Sequence, residues 1–166
     1  NRVLVFENAA AAIGQQNATS VLGQGDTDET LPNSGTAPKA SATGLFSPGG
    51  VALGPNGSVV IAATANNRVM VYGDGISASL VLGQADFTAN SANRADGVGV
   101  GAPMGLAIDY STEGFPLYAS DSLNHRVLAW SSTLRFANGA PADLVIGQIG
   151  FNAVFANSGS TTPSAS

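Results

Sequence analysis

The chain has no cysteine and very little charge. The absence of cysteine from its 166 residues excludes a disulfide framework and a thiolate metal site. Only 10% of the residues are charged, against roughly 25% in typical soluble domains. The polar surface must therefore consist mainly of Ser, Thr, Asn, Gln and Gly.

Basic residues and long apolar runs are equally scarce. The chain has six Lys and Arg residues and a formal net charge of −5, which argues against a nucleic-acid partner because phosphate binding depends on basic side chains. No apolar run reaches the roughly 18 residues of a membrane-spanning helix, so no membrane insertion is expected. The low charge and the wealth of Ser, Thr, Asn and Ala favour an exported protein, extracellular or at the cell surface, with the periplasm as the alternative.

What the chain has in quantity is turn residues and internal repetition. Its 21 glycines and eight prolines favour an all-β fold, and no long segment shows a convincing helical period. Three phrases recur in fixed order, about sixty residues apart. They are SPGGVALGPNGSVVIAAT (47–64) and APMGLAIDYSTEGFPLYASD (102–121), then NRVLVF (1–6), NRVMVY (67–72) and HRVLAW (125–130), then SVLGQ (20–24), LVLGQADF (80–87) and LVIGQIGF (144–151).

Each repeat predicts four short antiparallel strands. The phrases are short, β-rich and bounded by turn signals such as PNG at 55–57. Tandem units of this kind are typical of β-propeller blades, and the chain holds about two and a half of them. The predicted ranges are the second half of a blade (1–24), a connection (25–47), a complete blade (48–87), a second connection (88–102), a second complete blade (103–151) and a Ser/Thr/Gly-rich tail (152–166).

The order of these phrases resembles the NHL repeat in its bacterial form. The resemblance rests on GVALGPNGSVVIAATANNRVMVY with LVLGQADF, and on GLAIDYSTEGFPLYASDSLNHRVLAW with LVIGQIGF. NHL repeats form propellers, commonly of six blades, and a ring at this period would need about 360 residues. The resemblance therefore implies that the remaining blades come from a longer chain or from other copies.

Two aspartates of the family pattern occur in one unit only. Asp109 closes the first strand where the earlier unit has Gly54, and Asp121 precedes the Arg-Val strand where the earlier unit is read as having Thr64. Such residues are expected to brace turns by accepting bonds from nearby backbone N–H groups. The same structural role is expected of the turn residues Asn67, Asn124 and His125.

Arginine and glutamine recur at matching positions, Arg2, Arg68 and Arg126 and then Gln24, Gln84 and Gln148. We expect the arginines to pack along their stems and bond backbone or side-chain oxygens. The alternative is a row of arginines that binds an anion. Repetition in every unit favours the structural role.

No catalytic signature is present in the sequence, so an enzyme is not expected and no cofactor is predicted. The metal candidates are Asp26, Asp28 and Glu29, whose alternation could hold calcium but is also typical of a solvated loop. The resemblance implies a non-catalytic binding or structural scaffold, with a protein or glycan partner bound by the connections, which are expected to project. The alternatives are a lyase or lactonase whose site lies in blades outside this segment, and a receptor sensor domain.

Overall fold

The described residues form ten short β-strands and no α-helix. The computed structural model describes residues 1–7, 14–91 and 94–163, so the predicted ranges 1–24, 88–102 and 152–166 each include a few residues outside the described part. The strands are β1 Val3–Val5, β2 Ser20–Leu22, β3 Pro48–Leu53, β4 Val59–Ala63, β5 Arg68–Tyr72, β6 Leu80–Leu82, β7 Leu106–Ile108, β8 Leu117–Asp121, β9 Arg126–Trp130 and β10 Leu144–Ile146.

These strands make three open antiparallel sheets. Sheet A pairs β1 with β2, sheet B has the order β3-β4-β5-β6, and sheet C has the order β7-β8-β9-β10. Each sheet is a simple meander, in which consecutive strands are neighbours. The prediction of an all-β chain built from two, four and four strands is confirmed.

The turns follow from residues that tolerate positive φ. Asn56 and Gly57 have φ values of 59° and 76° in the β3–β4 turn, and Gly114 has φ 89° in the β7–β8 turn. Asn67 and His125 are left-handed, at φ 51° and 52°, immediately before β5 and β9. Asparagine and glycine adopt this backbone region at low cost, which explains why the chain turns between strands at these positions.

The sheets stack face to face and enclose two apolar layers. The A–B interface buries side chains of β2, β4, β5 and β6, with β1 packed against them. The B–C interface buries side chains of β4, β5, β6, β8 and β9, including Trp130. Strands β4, β5 and β6 are thus covered on both faces and are almost continuously apolar for that reason, whereas Val51 and Leu53 of β3 are 46% and 65% exposed.

The connections between sheets are partly built into these layers. Leu45 and Val100 are 0% and 1% exposed, and each lies against a backbone glycine. A Cβ added to Gly23 would be 2.4 Å from Leu45 Cγ, and one added to Gly83 would be 2.1 Å from Val100 Cγ1. The expectation that the connections project freely is therefore wrong for their second halves, because those segments fill the gap between sheets.

Candidate functional site

Arg68 is fully buried and bonded to backbone carbonyls of both flanking connections. Its Nη1 donates to Phe87 O at 2.6 Å, and its Nη2 donates to Ser41 O at 2.7 Å and to Gly44 O at 3.0 Å. These bonds tie β5 to the connection before sheet B and to the one after it. No guanidinium nitrogen is left facing solvent, so this arginine cannot bind an external anion.

The other two arginines repeat this pattern. Arg126 donates to Phe151 O and, at 2.9 Å, to Asp96 O. Arg2 donates to Thr27 O and, at 3.3 Å, to Glu29 O. In each unit the first acceptor is the residue three positions after the recurring glutamine, so the arginine holds the turn that follows the fourth strand.

The glutamines return the contact in the opposite direction. Each glutamine Nε2 donates to two backbone carbonyls. The first belongs to the residue just before the recurring arginine, and the second belongs to the residue seven positions after the glutamine itself. The pairs are Gln24 to Asn1 O (2.7 Å) and Leu31 O (2.8 Å), Gln84 to Asn67 O (2.8 Å) and Ser91 O (2.9 Å), and Gln148 to His125 O (3.1 Å) and Phe155 O (2.9 Å). Arginine and glutamine together form one clamp per unit, which we call the Arg–Gln clamp.

Asp121 does more than brace a turn. It is fully buried, and its Oδ2 lies 2.6 Å from Arg126 Nε, while its Oδ1 accepts bonds from Gly101 N at 2.6 Å and Asn124 Nδ2 at 2.8 Å. A buried ion pair whose carboxylate has further donors satisfies the requirement for burying charge. Asp121 therefore joins the clamp of sheet C to the connection before it.

The equivalent position in sheet B is Ala63 and not Thr64. The strand register pairs Ala63 with Arg68 and Asp121 with Arg126, so matching the letters of the two phrases was wrong by one residue. Arg68 consequently has no carboxylate partner among the described residues. Burial lowers its pKa to about 10, opposed by the nearby Tyr72, and its Nε has no hydrogen-bond partner among the described residues.

The residues immediately before the arginines connect one unit to the next. Asn67 Oδ1 accepts a bond from Ala102 N at 3.0 Å, and Asn1 Oδ1 accepts one from Ser47 N at 2.9 Å. His125 occupies the same position in sheet C, where its side chain is exposed. Asn124, beside it, is buried and bonded to Asp121, as given above.

The acidic residues of the first connection make local bonds. Asp26 Oδ1 accepts from Asp28 N and Glu29 N, both at 2.9 Å, and Glu29 Oε2 accepts from Gly25 N at 2.9 Å. Within the described residues, no group of three or more His, Cys, Asp or Glu side chains could hold a metal ion. Asp109 is likewise a turn residue, whose pKa is lowered mainly by hydrogen bonds from Ser111 and Thr112.

A neutral cleft lies between sheet B and the connection from β9 to β10. It has a volume of about 350 Å³, and none of the residues lining it is ionisable. Hydroxyl, amide and ring groups surround it, including those of Pro55, Asn56, Ser58, Ser79, Thr133 and Phe136. Two of its polar residues, Asn56 and Ser58, lie within a repeated phrase, and the other two, Ser79 and Thr133, lie between phrases, so the repeats alone did not predict this cleft.

One buried polar pair was also missed. The amides of Asn33 and Asn66 bond each other at 2.7 and 3.2 Å, and both residues are buried. The sequence does carry a signal, because LPNSG at 31–35 is repeated as FANSG at 155–159, at the same distance after the recurring glutamine. The pair links the first connection to the turn before β5.

The described residues contain no helix that is long and apolar enough to span a membrane. Comparison of the chain with protein-family models gives no match, and comparison with curated proteins gives none either.

Proposed function

We propose that this chain is part of a non-catalytic propeller-type scaffold, similar to NHL-repeat proteins, that acts outside the cell or at its surface and binds a neutral glycan or a protein. Four-stranded meanders that stack face to face in one chain order are what a propeller requires of its blades. Sheets B and C have this form, and sheet A has the third and fourth strands of such a unit. The first strands of sheets B and C are also neighbours, with Gly50 N bonded to Met104 O at 2.6 Å.

One observation carries the scaffold assignment. The arginines and glutamines of the Arg–Gln clamps recur in every unit, and they donate hydrogen bonds to backbone carbonyl groups of the chain itself. The Nη donors of these arginines and the Nε2 donors of these glutamines are occupied by carbonyl groups within the fold, so they are not available to a ligand. Specificity must then reside in residues that differ between units.

The neutral cleft is the strongest candidate for a ligand. Its hydroxyl and amide groups can exchange hydrogen bonds with sugar hydroxyls, and Phe136 offers an apolar surface. A net charge of −5 disfavours polyanions. An uncharged oligosaccharide therefore suits the site better than a nucleic acid or a sulfated glycan.

The test is binding of the chain to a panel of immobilised neutral oligosaccharides, followed by interferometry. Ser79→Trp places a large ring at the cleft, whereas Ser77→Trp adds the same ring at an exposed position that does not line it. We expect binding of at least one neutral sugar, weakened tenfold or more by Ser79→Trp and unchanged by Ser77→Trp. Binding to heparin alone, or turnover of a bound sugar, would contradict the proposal.

A further inference from the structure

Asparagine is followed by glycine at two places in the chain, Asn56-Gly57 and Asn138-Gly139. In this dipeptide the asparagine side chain reacts readily with its own backbone, because glycine has no Cβ to obstruct the approach of its nitrogen. Both asparagines are exposed. Exposure and local sequence therefore do not distinguish the two sites, and any difference in reactivity must come from the fold around them.

The Asn138-Gly139 turn is fixed to sheet B. Gly139 N donates to Val81 O at 3.0 Å, and Asn138 Oδ1 accepts a bond from Val81 N, also at 3.0 Å. Val81 lies in β6 and is fully buried. A Cβ added to Gly139 would lie 3.2 Å from Ala85 Cα, so the turn has little room beside it. The glycine nitrogen and the asparagine amide are thus both held against the neighbouring sheet.

The Asn56-Gly57 turn has no such attachment. The bonds at its tip are local, with Ser58 N and Ser58 Oγ donating to Pro55 O at 3.4 and 3.1 Å. Among the described residues, neither the Asn56 amide nor Gly57 N is bonded to a residue outside the turn. A Cβ added to Gly57 would have nothing within 4 Å. This turn can therefore open without breaking contacts elsewhere, and exposed turns open at low free energy.

We propose that Asn56 is a site of spontaneous modification, at which the side-chain amide is converted to a carboxylate, while the fold protects Asn138. The nitrogen of Gly57 attacks Asn56 Cγ, and the new C–N bond closes a succinimide ring. The proton of Gly57 N passes through solvent to the amide nitrogen of Asn56, which leaves as ammonia. Water then opens the ring at either carbonyl and gives aspartate or isoaspartate. Water is the only co-reactant.

The product changes the character of the neutral cleft. Asn56 lines this cleft, and none of the lining residues is ionisable. Conversion adds one negative charge to a chain whose formal charge is −5, and it replaces the N–H donors of the amide by acceptor oxygens. The reaction goes beyond the proposed function and does not depend on the ligand proposed for the cleft. Its test and the ligand-binding test can therefore fail independently.

The experiment is prolonged incubation of the full chain at physiological temperature in mildly alkaline buffer. Tryptic cleavage after Lys39, Arg68 and Arg135 places the two sites on separate peptides, 40–68 and 136–166. Brief digestion at mildly acidic pH limits further reaction, and tandem mass spectrometry locates the mass gain in each peptide. We expect Asn56 to convert at least about tenfold faster than Asn138, since the bonds to Val81 must first break at the second site.

Two controls separate the effect of the fold from that of the local sequence. In concentrated guanidinium chloride at the same pH, Asn56 and Asn138 should convert at rates within about threefold of each other, because the bonds to Val81 are lost. Asn56→Gly removes the reacting amide and keeps the turn, since glycine accepts the φ of 59° at this position. The acidic species that appears first on isoelectric focusing of the unchanged protein should be absent from this variant.

Equal rates of conversion at Asn56 and Asn138 in the folded chain would overturn the proposal. So would an Asn56 that stays intact in the folded chain while it converts in the unfolded one, because that result would mean that the turn is held closed. An early acidic species that persists in Asn56→Gly would also overturn it, since the modification would then lie elsewhere.

Discussion

At the scale of single residues, the molecule buries its cations in two different ways. Arg126 has a carboxylate at 2.6 Å, while Arg68 has only carbonyl oxygens. Carbonyl dipoles replace part of the water that a guanidinium loses on burial, but a carboxylate also supplies the opposite charge. The two units therefore depend on different neighbours, although their arginines stand at the same strand position.

Removing the charge of Asp121 should lower the free energy of unfolding substantially. Asp121→Asn keeps the shape of the side chain but leaves Arg126 buried without a counter-charge, which costs about 3–5 kcal/mol in comparable pairs. The measurement is the free energy of unfolding in urea. Asp109→Asn is the matched control, since Asp109 is only half-buried and braces only its own turn. A loss as large as that of Asp121→Asn would contradict this account.

A carboxylate should be tolerated opposite Arg68. Ala63 and Ala62 are both fully buried, but only Ala63 pairs with Arg68 in the register. We expect Ala63→Asp to remain folded and Ala62→Asp to be destabilised by several kcal/mol more, on the order of the cost of an unpaired buried charge. Equal losses of unfolding free energy in the two variants would show that the guanidinium does not reach position 63.

Tyr72 has a buried hydroxyl without a hydrogen-bond partner in the described chain. Burial raises its pKa from 10.0 to about 12, against the opposing charge of Arg68. Because the folded state resists ionisation of this phenol, the stability of the protein is unaffected by it below pH 10, where it is neutral in both states, and falls as the pH rises from 10 towards 12. Tyr72→Phe should stabilise the protein by about 1 kcal/mol, because the unsatisfied hydroxyl is removed.

The titration of Tyr72 can be measured directly. Tyrosinate absorbance of the unchanged protein minus that of Tyr72→Phe isolates this phenol. A midpoint near the ordinary value of 10, or a loss of stability in Tyr72→Phe, would mean that the hydroxyl has a partner.

At the scale of elements, strands and turns were predictable but their register was not. Two short apolar runs on either side of the PNG turn define the hairpin of β3 and β4 from local sequence alone. The alignment of Thr64 with Asp121 was wrong because it compared the two sequences by residue type. The residue equivalent to Asp121 is identified only by the strand pairing, in which Ala63 lies opposite Arg68 as Asp121 lies opposite Arg126. The Asn33–Asn66 bond joins residues 33 positions apart, and no local preference could specify such a contact.

The close approach of connection and sheet can be tested at the glycines. Gly83 and Gly147 have φ values of 84° and 89°. Alanine at either position is therefore destabilised by a similar amount of backbone strain. Only at Gly83 would the new methyl group meet a side chain, that of Val100 at 2.1 Å. We expect Gly83→Ala to lose about 1–3 kcal/mol more than Gly147→Ala, which is the usual cost of overpacking.

The measurement is the free energy of unfolding of the two variants in urea. Equal losses in the two variants would indicate that Val100 moves aside without cost. In that case the connection would be loosely attached and not part of the B–C interface.

At the scale of the whole molecule, the question is whether the stacked sheets unfold together. In repeat arrays each unit contacts only its neighbours, and cooperativity passes through the interfaces between them. Sheet B contributes to both interfaces, the A–B interface through residues such as Ile61 and Met70 and the B–C interface through Val60 and Val69. Loss of either layer exposes one face of the same sheet, so the two layers should not melt separately.

Leu22→Ala tests this coupling. Leu22 lies in the A–B interface, and truncation of a buried leucine costs about 2–5 kcal/mol. The single tryptophan, Trp130, lies in the B–C interface on the far side of sheet B and reports on that layer by its fluorescence. If the sheets form one cooperative unit, Leu22→Ala shifts the urea midpoint of the Trp130 signal as far as it shifts the midpoint of the β-sheet circular dichroism. A Trp130 transition that stays in place while the circular dichroism divides into two steps would mean that sheet A detaches first and that sheets B and C are stable without it.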